Sequence, residues 1–275
     1  MEPADAFAEL MLLDDEELPL DRAALLLAAV EYPDLDVDGA MILLDGLADV
    51  VLRRLGGSRQ PDDVVRVMAG VLHAELGFHG NADAYYDPRN SYLNEVLNRR
   101  LGIPISLSAL YLAIGQRLDL PLEGVGMPGH FLVRLRDQAM PVVVDPFADG
   151  AVLTDADCAA RLRGLYGPSA RFTQAMLAPV STRQIVFRML NNLKGIYSSQ
   201  EDWRRVVRTI DLMLLTQPGA SSEYRDRGMA NMRAGNLRRA RADFEHYLLN
   251  AAEIHDAGTV REQLALVERL ETMRN

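Results

Sequence analysis

A hydroxyl, an imidazole and a carboxylate follow one another in the middle of the chain. Ser106 stands two residues after a proline that suits the start of a helix, His130 opens a β-rich run, and Asp145 closes the next one. In nucleophile–base–orienter triads, an imidazole takes the proton of the nucleophile and a carboxylate fixes the imidazole. The three residue types therefore indicate hydrolysis or acyl transfer at an amide or ester, provided that the fold brings them together.

The two β-rich runs predict how His130 and Asp145 would meet. Residues 130–135 and 141–145 are separated by the polar residues 136–138, a pattern typical of a hairpin. A turn centred between positions 137 and 138 would place His130 opposite Asp145, with Cβ atoms about 5 Å apart on one face. The carboxylate would then hold one ring nitrogen of the imidazole. The alternative is an ordinary strand-end histidine beside a turn-forming aspartate.

The elements that must position these residues follow from the spacing of apolar and turn residues. Apolar residues recur every three or four positions, as in helices, over 3–13, 20–31, 38–55 and 61–76. Further along we predict a loop at 77–90, followed by helices at 92–101 and 104–118. A short strand at 122–126, the hairpin at 130–145 and another helix at 155–165 complete this part. The pattern predicts an α+β fold, in which a helical block over residues 1–80 precedes helices packed on a small antiparallel sheet.

From residue 182 onward the pattern is helical and periodic. Shifting the frame by about 34 residues places two stretches on the tetratricopeptide template. Template positions are held by Leu193, Tyr197, Trp203, Val206, Ile210, Met213, Leu214 and Pro218, then by Tyr224, Gly228, Gly235, Ala240 and Phe244. A final helix at 257–273 would cap the stack. The alternative is an ordinary helical bundle whose spacing is accidental.

Charge separates the two regions. Residues 1–180 hold 14 basic and 27 acidic side chains, whereas residues 181–275 hold 15 and 12. We therefore predict two domains that meet at residue 180, and a protein or peptide partner for residues 181–275. The formal net charge of −10 argues against a nucleic-acid binder, which needs a basic face.

Composition excludes several other classes. The single cysteine, Cys158, rules out an intramolecular disulfide and a cysteine-built zinc site, and we expect it to be a buried structural thiol. The acidic N-terminus lacks the pattern of a signal peptide, and no apolar stretch approaches the roughly 20 residues that cross a bilayer. We expect a cytoplasmic protein that binds neither membrane nor nucleic acid, and the sequence leaves its oligomeric state open.

Cofactor and metal sites are not indicated. No glycine-rich phosphate loop opens a helix after a strand, so a nucleotide is not implied. The histidines other than His130 have no histidine or cysteine four residues away and form no predicted metal site; they are His73, His79, His246 and His255.

The middle of the chain resembles the bacterial SirB-type family. The resemblance is carried by NEVL at 94–97, RLGIPISLS at 100–108, GVGMPGHFLV at 124–133 and DPF at 145–147, and it extends over nearly the whole chain. It implies a transglutaminase-like domain of papain-like ancestry followed by tetratricopeptide-type helices.

The resemblance also implies roles for residues. In active members of the wider superfamily a cysteine at the start of the core helix attacks a carbonyl, a histidine takes up the proton, and an aspartate orients the histidine. His130 and Asp145 match the last two, and the cysteine falls at Ile105 or at Ser106. Asn94 or Asn98 could lend a side-chain donor to an oxyanion, or simply cap turns.

Three hypotheses follow. With Ile105 in the cysteine's place, the protein is a catalytically degenerate binding or regulatory module whose repeats recruit a partner. With Ser106 there, it is a Ser–His–Asp hydrolase or acyltransferase. In the third, the repeats alone act as a scaffold for an acidic peptide through a basic groove of Arg204, Arg205, Arg208, Arg238, Arg239 and Arg241.

Overall fold

The computed structural model describes residues 1–136, 142–250 and 256–274, which form two compact units. The first unit comprises Met1–Met189 and the second Leu190–Asn275. The sequence predicted a boundary at residue 180, and the division falls nine residues later, inside a helix that begins at Thr182.

The first unit begins with the predicted helical block. Its helices are α1 (Pro3–Leu10), α2 (Leu20–Glu31), α3 (Val37–Leu55) and α4 (Pro61–Ala69). The Asp36 side chain caps α3 by accepting a hydrogen bond from Gly39 N at 2.9 Å, and Gly56 ends the helix with a φ of 57°. The helix predicted to continue to residue 76 instead widens into a π-helical turn, Gly70–Glu75.

A buried helix forms the centre of this unit. Two residues of β1 (His79–Gly80) pair in parallel with β2 (Leu101–Gly102), and α5 (Leu93–Arg99) lies between them in sequence. The central helix α6 (Pro104–Arg117) follows, with a proline at its first position. Its apolar side chains are buried on nearly all sides, so the start of this helix is fixed rigidly by the core.

The sheet consists of four antiparallel strands in sequential order. They are β3 (Leu122–Val125), β4 (Leu132–Leu135), β5 (Val142–Asp145) and β6 (Ala151–Leu153), and α7 (Asp155–Tyr166) follows. These helices and strands confirm the predicted α+β class.

Two predictions about the hairpin were wrong. Val133 pairs with Val144 and Leu135 with Val142, so the register differs by two positions from the one predicted. His130 does not begin the strand either. It lies in a turn closed by its own N–H, which donates to Met127 O at 3.0 Å, and Gly129 there adopts a φ of 72°. The predicted centre of the turn, between residues 137 and 138, lies outside the described residues.

The second unit contains the repeat helices. Helix α8 (Thr182–Ser199) enters it and is followed by α9 (Trp203–Thr216), α10 (Ser221–Arg233), α11 (Leu237–Asn250) and α12 (Ala257–Arg274). A Cβ atom at Gly228 would lie 2.6 Å from the ring of Phe244, so the glycine allows α10 and α11 to approach closely. Phe244 is fully buried beside Ala240. Nowhere in the described part of the chain is a helix both long and apolar enough to cross a membrane.

Candidate functional site

His130 lies at the edge of a cleft in the first unit. The cleft has a volume of about 700 Å³. Its walls come from the loop before α5, the first residue of α6, the turn before β4, the segment after β5 and α7. The residues that line it include Tyr85, Tyr86, Pro104, His130, Phe147, Arg161 and Leu165.

The structure brings His130 and Asp145 together. His130 Nε2 lies 3.0 Å from Asp145 Oδ1, and the Asp145 side chain is fully buried. The same oxygen accepts a hydrogen bond from Phe147 N at 3.0 Å. Because a carboxylate oxygen can only accept, Nε2 carries a proton, and in the neutral form of the ring Nδ1 has a lone pair that can accept a hydrogen bond.

Arg161, which the sequence analysis missed, shares the carboxylate. Its Nη1 lies 2.6 Å from Asp145 Oδ2 and 3.2 Å from His130 Nε2. Burial raises the pKa of Asp145, but the hydrogen bond from His130 and the charges of His130 and Arg161 outweigh it, so the pKa is lower than usual. Asp145 is therefore a carboxylate at neutral pH. No spacing rule connects an arginine on α7 to the end of β5, so the sequence carried no signal for it.

A second missed arginine holds the turn that carries His130. Arg188 Nη2 donates to Met127 O at 3.0 Å and to His130 O at 2.7 Å. Its guanidinium carbon lies 5.4 Å from the centre of the Phe131 ring. Burial lowers the pKa of Arg188, and none of the described carboxylates pairs with it. The residue fixes the backbone on both sides of Gly129 and so positions the imidazole.

Ser106 does not face the cleft. Its side chain is fully buried, its Oγ donates to Asn90 O at 2.5 Å, and it accepts a hydrogen bond from Ile103 N at 3.0 Å. The one proton of the hydroxyl is thus committed to a backbone carbonyl, and the side chain caps the start of α6. This position does not support the prediction of Ser106 as the nucleophile.

The other match to the family cysteine, Ile105, is also buried, with 1% of its surface exposed. Pro104 is the residue of α6 that lines the cleft. Proline has no nucleophilic side-chain group and no backbone N–H, so the helix start presents an inert surface to the cleft.

The predicted asparagine donors lie elsewhere. Asn94 is buried on α5 and Asn98 is exposed on the same helix, and neither lines the cleft. The buried amide that organises this region is Asn90. Its Nδ2 donates to Ala84 O at 2.7 Å and its Oδ1 accepts from Asn81 Nδ2 at 3.1 Å. Asn90 therefore supports the loop that precedes α5 rather than an oxyanion.

Aromatic rings form one wall. Tyr85 meets Tyr86 edge-to-face at 5.3 Å and Phe147 at 6.0 Å, and Phe147 meets His130 at 6.2 Å. Tyr86 and Leu165 are 73% and 58% exposed. Adjacent exposed apolar side chains are typical of surfaces that bind a ligand or partner. Burial raises the pKa of Tyr85, so its phenol is protonated at neutral pH.

Cys158 does not line the cleft and lies in the core against the sheet. Its side chain is fully buried with Val125, Met127, Leu132, Val143 and Leu177. Burial raises the pKa of the thiol, which keeps it protonated and unreactive.

Three possible metal ligands lie near one another outside the cleft. One ligand atom from each of His73, His79 and Asp149 falls within 4.8 Å of the others. However, His73 Nδ1 donates to Phe78 O at 2.5 Å, and its Nε2 lies 2.7 Å from Tyr111 Oη. Both ring nitrogens of His73 are thus used, and a metal would have to displace a backbone carbonyl. The residues do not fit a metal.

The arginines predicted to form one basic groove are divided between two places. Arg238, Arg239 and Arg241 line a cavity of about 570 Å³. Arg241 also binds Glu245 at 2.9 Å. Arg205 on α9 instead binds Asp202 at 2.7 Å. Arg204 and Arg208 lie on that same helix.

Comparisons with known proteins agree with this architecture. The profile of the transglutaminase-like superfamily matches residues 40–191, and that of the tetratricopeptide repeat matches residues 193–265. A UPF0162 protein of Xylella fastidiosa (strain 9a5c) is 39% identical over 269 residues, with 94% of each chain covered. A UPF0162 protein of Vibrio cholerae is 30% identical over 236 residues, covering 86% of this chain and 87% of its own.

A more distant similarity extends to eukaryotes. Human F-box only protein 21 is 29% identical over 216 residues, which is 67% of this chain and 33% of that protein. No solved structure was found to match the chain.

Proposed function

The chain belongs to the transglutaminase-like superfamily, and we propose that it is a catalytically degenerate member. In this proposal the cleft binds a ligand without forming a covalent bond to it, and the tetratricopeptide repeats recruit a protein partner. The bacterial UPF0162 relatives match the chain over most of its length, so the similarity includes both the transglutaminase-like part and the repeats.

The observation that carries the proposal is the start of α6. A cysteine-type site places a thiol there, within reach of the imidazole, so that a thiolate–imidazolium pair forms. Here Pro104 lines the cleft, Ile105 is buried, and the hydroxyl of Ser106 is bonded to Asn90 O. Among the described residues, these three positions support a cleft without the nucleophilic member of the triad.

The rest of the site supports binding. His130 is held by Asp145, its turn is fixed by Arg188, and Arg161 adds a cation beside the ring. Arg161 has donors in addition to Nη1, and Nδ1 of the imidazole faces no described partner. A polar group of a ligand can bind these atoms while its apolar part lies against the aromatic wall.

The His130–Asp145 pair favours one alternative function, that of a hydrolase or acyltransferase. A Ser–His–Asp hydrolase or acyltransferase would need the Ser106 side chain to leave Asn90 O and reach His130 Nδ1. That movement would leave both Ile103 N and Asn90 O without a partner inside the core, which costs about 1–3 kcal/mol for each buried group. Because of this cost, the hydrolase or acyltransferase is the second candidate function.

A substrate panel tests the two against each other. The full chain and its His130→Ala variant are incubated with activated esters, peptide amides and acyl donors, and with a fluorophosphonate probe that labels activated serines. If the protein is catalytically degenerate, the full chain should turn over no substrate faster than the His130→Ala variant does, and the probe should label neither. Reproducible turnover that disappears in His130→Ala would overturn the proposal and establish the hydrolase.

The repeats supply the proposed partner-recruiting function. Tetratricopeptide helices stack into extended surfaces that bind other proteins. We also propose a cytoplasmic location, which is compatible with the free, buried thiol of Cys158.

A further inference from the structure

A groove in the repeat unit has an aromatic floor and a basic edge. It has a volume of about 320 Å³ and lies between the last turns of α8, the first half of α9 and α10. Trp203 and Met229 supply apolar surface, and Gly195 and Ala230 are small enough to leave room. Trp203 is partly buried and is the only tryptophan of the chain.

Most charged side chains near the groove are paired within the protein. Lys194 Nζ lies 2.7 Å from Glu223 Oε2 and 3.1 Å from Asp226 Oδ2. Asp226 also pairs with Arg225 at 2.8 Å. Arg225 pairs in turn with Asp256 at 2.8 Å. Each of these charged side chains thus has an oppositely charged partner within the protein.

Arg233 is the exception. Its guanidinium carbon lies 4.5 Å from the centre of the Trp203 ring, and the side chain is exposed. Within the described residues of the unit, no carboxylate pairs with it. A guanidinium that stacks by its face keeps the N–H groups at its edge available, and that edge matches the two oxygens of a carboxylate. The groove therefore carries one oriented, uncompensated cation.

Neutral polar groups complete the lining. Asn191 and Ser198 of α8 face the groove and, in the described structure, form no side-chain hydrogen bond. An asparagine amide can donate to and accept from a peptide backbone at once. The side chains of Asn191 and Ser198 can therefore hydrogen-bond to the backbone of a peptide. Together with the apolar floor and the single cation, they suit a peptide bound in an extended conformation.

We propose that this groove binds an acidic peptide segment of a partner protein. A carboxylate of the segment pairs with the edge of Arg233, and a neighbouring apolar side chain lies against Trp203 and Met229. The inference rests on the proposed recruiting role of the repeats, and it names the chemistry of the partner. It does not depend on what the cleft of the first unit does.

Intrinsic fluorescence tests the proposal directly, because Trp203 is the sole tryptophan. The full chain is titrated with a capped hexapeptide that alternates glutamate and leucine, and with its glutamine–leucine isostere, and the heat of binding is measured in parallel. We expect the acidic peptide to change the Trp203 emission and to bind about tenfold or more tightly than the isostere, with affinity falling as salt is raised.

Two variants locate the effect. Arg233→Gln should abolish the preference for the acidic peptide. Arg239→Gln is the matched control, because Arg239 is exposed on α11 and does not line the groove, and it should keep the preference. Circular dichroism of each variant verifies that the helices are intact, and the salt dependence of the wild-type chain gives a test that needs no variant.

Several results would overturn the proposal. The first is equal affinity for the acidic peptide and its isostere. The second is the absence of both a fluorescence change and a heat of binding at millimolar peptide. The third is that Arg239→Gln weakens binding of the acidic peptide as much as Arg233→Gln does. Self-association of the wild-type chain that Arg233→Gln abolishes, seen by sedimentation without peptide, would assign the groove to a second copy instead. Turnover in the substrate panel would overturn the degenerate cleft and leave the peptide result unaffected, so the two failures are distinguishable.

Discussion

Asp145 holds His130 through one carboxylate oxygen, with 3.0 Å between Oδ1 and Nε2. Its other oxygen faces Arg161 Nη1 at 2.6 Å. The carboxylate thus neutralises a cation and orients an imidazole at the same time. Both contacts belong to a side chain that is fully buried, so they bear on stability as well as on the cleft.

Removing the charge of Asp145 should destabilise the protein. In Asp145→Asn the guanidinium of Arg161 loses its counter-charge next to buried surface, and we expect a loss of about 3 kcal/mol in the free energy of unfolding. The measurement is urea denaturation at neutral pH. The matched control is Asp34→Asn, an exposed carboxylate in a loop, which should change stability by less than about 0.5 kcal/mol. Equal effects of the two substitutions would contradict the pairing.

The same carboxyl predicts a pH dependence. The pKa of Asp145 in the folded protein lies below its value in the unfolded chain, which is about 3.9. The unfolded state therefore binds the proton more readily, and the contribution of Asp145 is fully present above about pH 5 and is lost as the pH falls through the folded pKa. The stability difference between the wild type and Asp145→Asn should be constant between neutral pH and about pH 5 and shrink on further acidification. A difference that grows on acidification would show that the carboxyl does not have a lowered pKa.

Ser106 should contribute to stability rather than to chemistry. Ser106→Ala removes the partner of Ile103 N and the donor to Asn90 O, so we expect a loss of about 1–3 kcal/mol in unfolding free energy. Ser108 on the same helix is equally buried, and its Oγ has no partner within the described residues. Ser108→Ala should therefore cost little or stabilise the protein. Comparable losses for the two serines would contradict the capping role.

The repeat unit should be sensitive to one glycine and tolerant of another. Gly228→Ala would place a Cβ atom 2.6 Å from the Phe244 ring, and overpacking of this kind costs about 1–3 kcal/mol. Gly195 is also helical, but a Cβ atom there would meet nothing within 4 Å. Gly195→Ala should stabilise its helix by about 0.5–1 kcal/mol. Thermal unfolding of the two variants measures this difference, and a loss of stability in both would contradict the close packing of α10 on α11.

The sequence was enough to predict the fold class because periodicity and turn residues act locally. Helices α2 and α3 and the start of α6 fall where apolar spacing and proline place them. The meeting of His130 with Asp145 was predicted from a register that is wrong. The turn at Gly129, which lifts His130 off the strand, depends on a positive φ and on Arg188 from a distant helix.

The site itself was less predictable because its contacts are long-range. Arg161 and Arg188 reach the dyad from helices that no sequence pattern links to it. A buried serine at the start of a helix can be a cap or a nucleophile, and only the position of Asn90 O distinguishes the two.

The central claim is that α6 presents Pro104, and not a nucleophile, to His130. Cysteine substitutions test it most directly, because the native thiol of Cys158 is buried and gives a low background. The measurement is the rate of alkylation by iodoacetamide in Pro104→Cys, Ile105→Cys and Ser106→Cys, each with His130 intact and as His130→Ala. We predict that Pro104→Cys reacts rapidly and slows when His130 is replaced, whereas the other two are protected like Cys158. Rapid, His130-dependent labelling of Ser106→Cys with a protected Pro104→Cys would contradict the account and place the nucleophile position at residue 106.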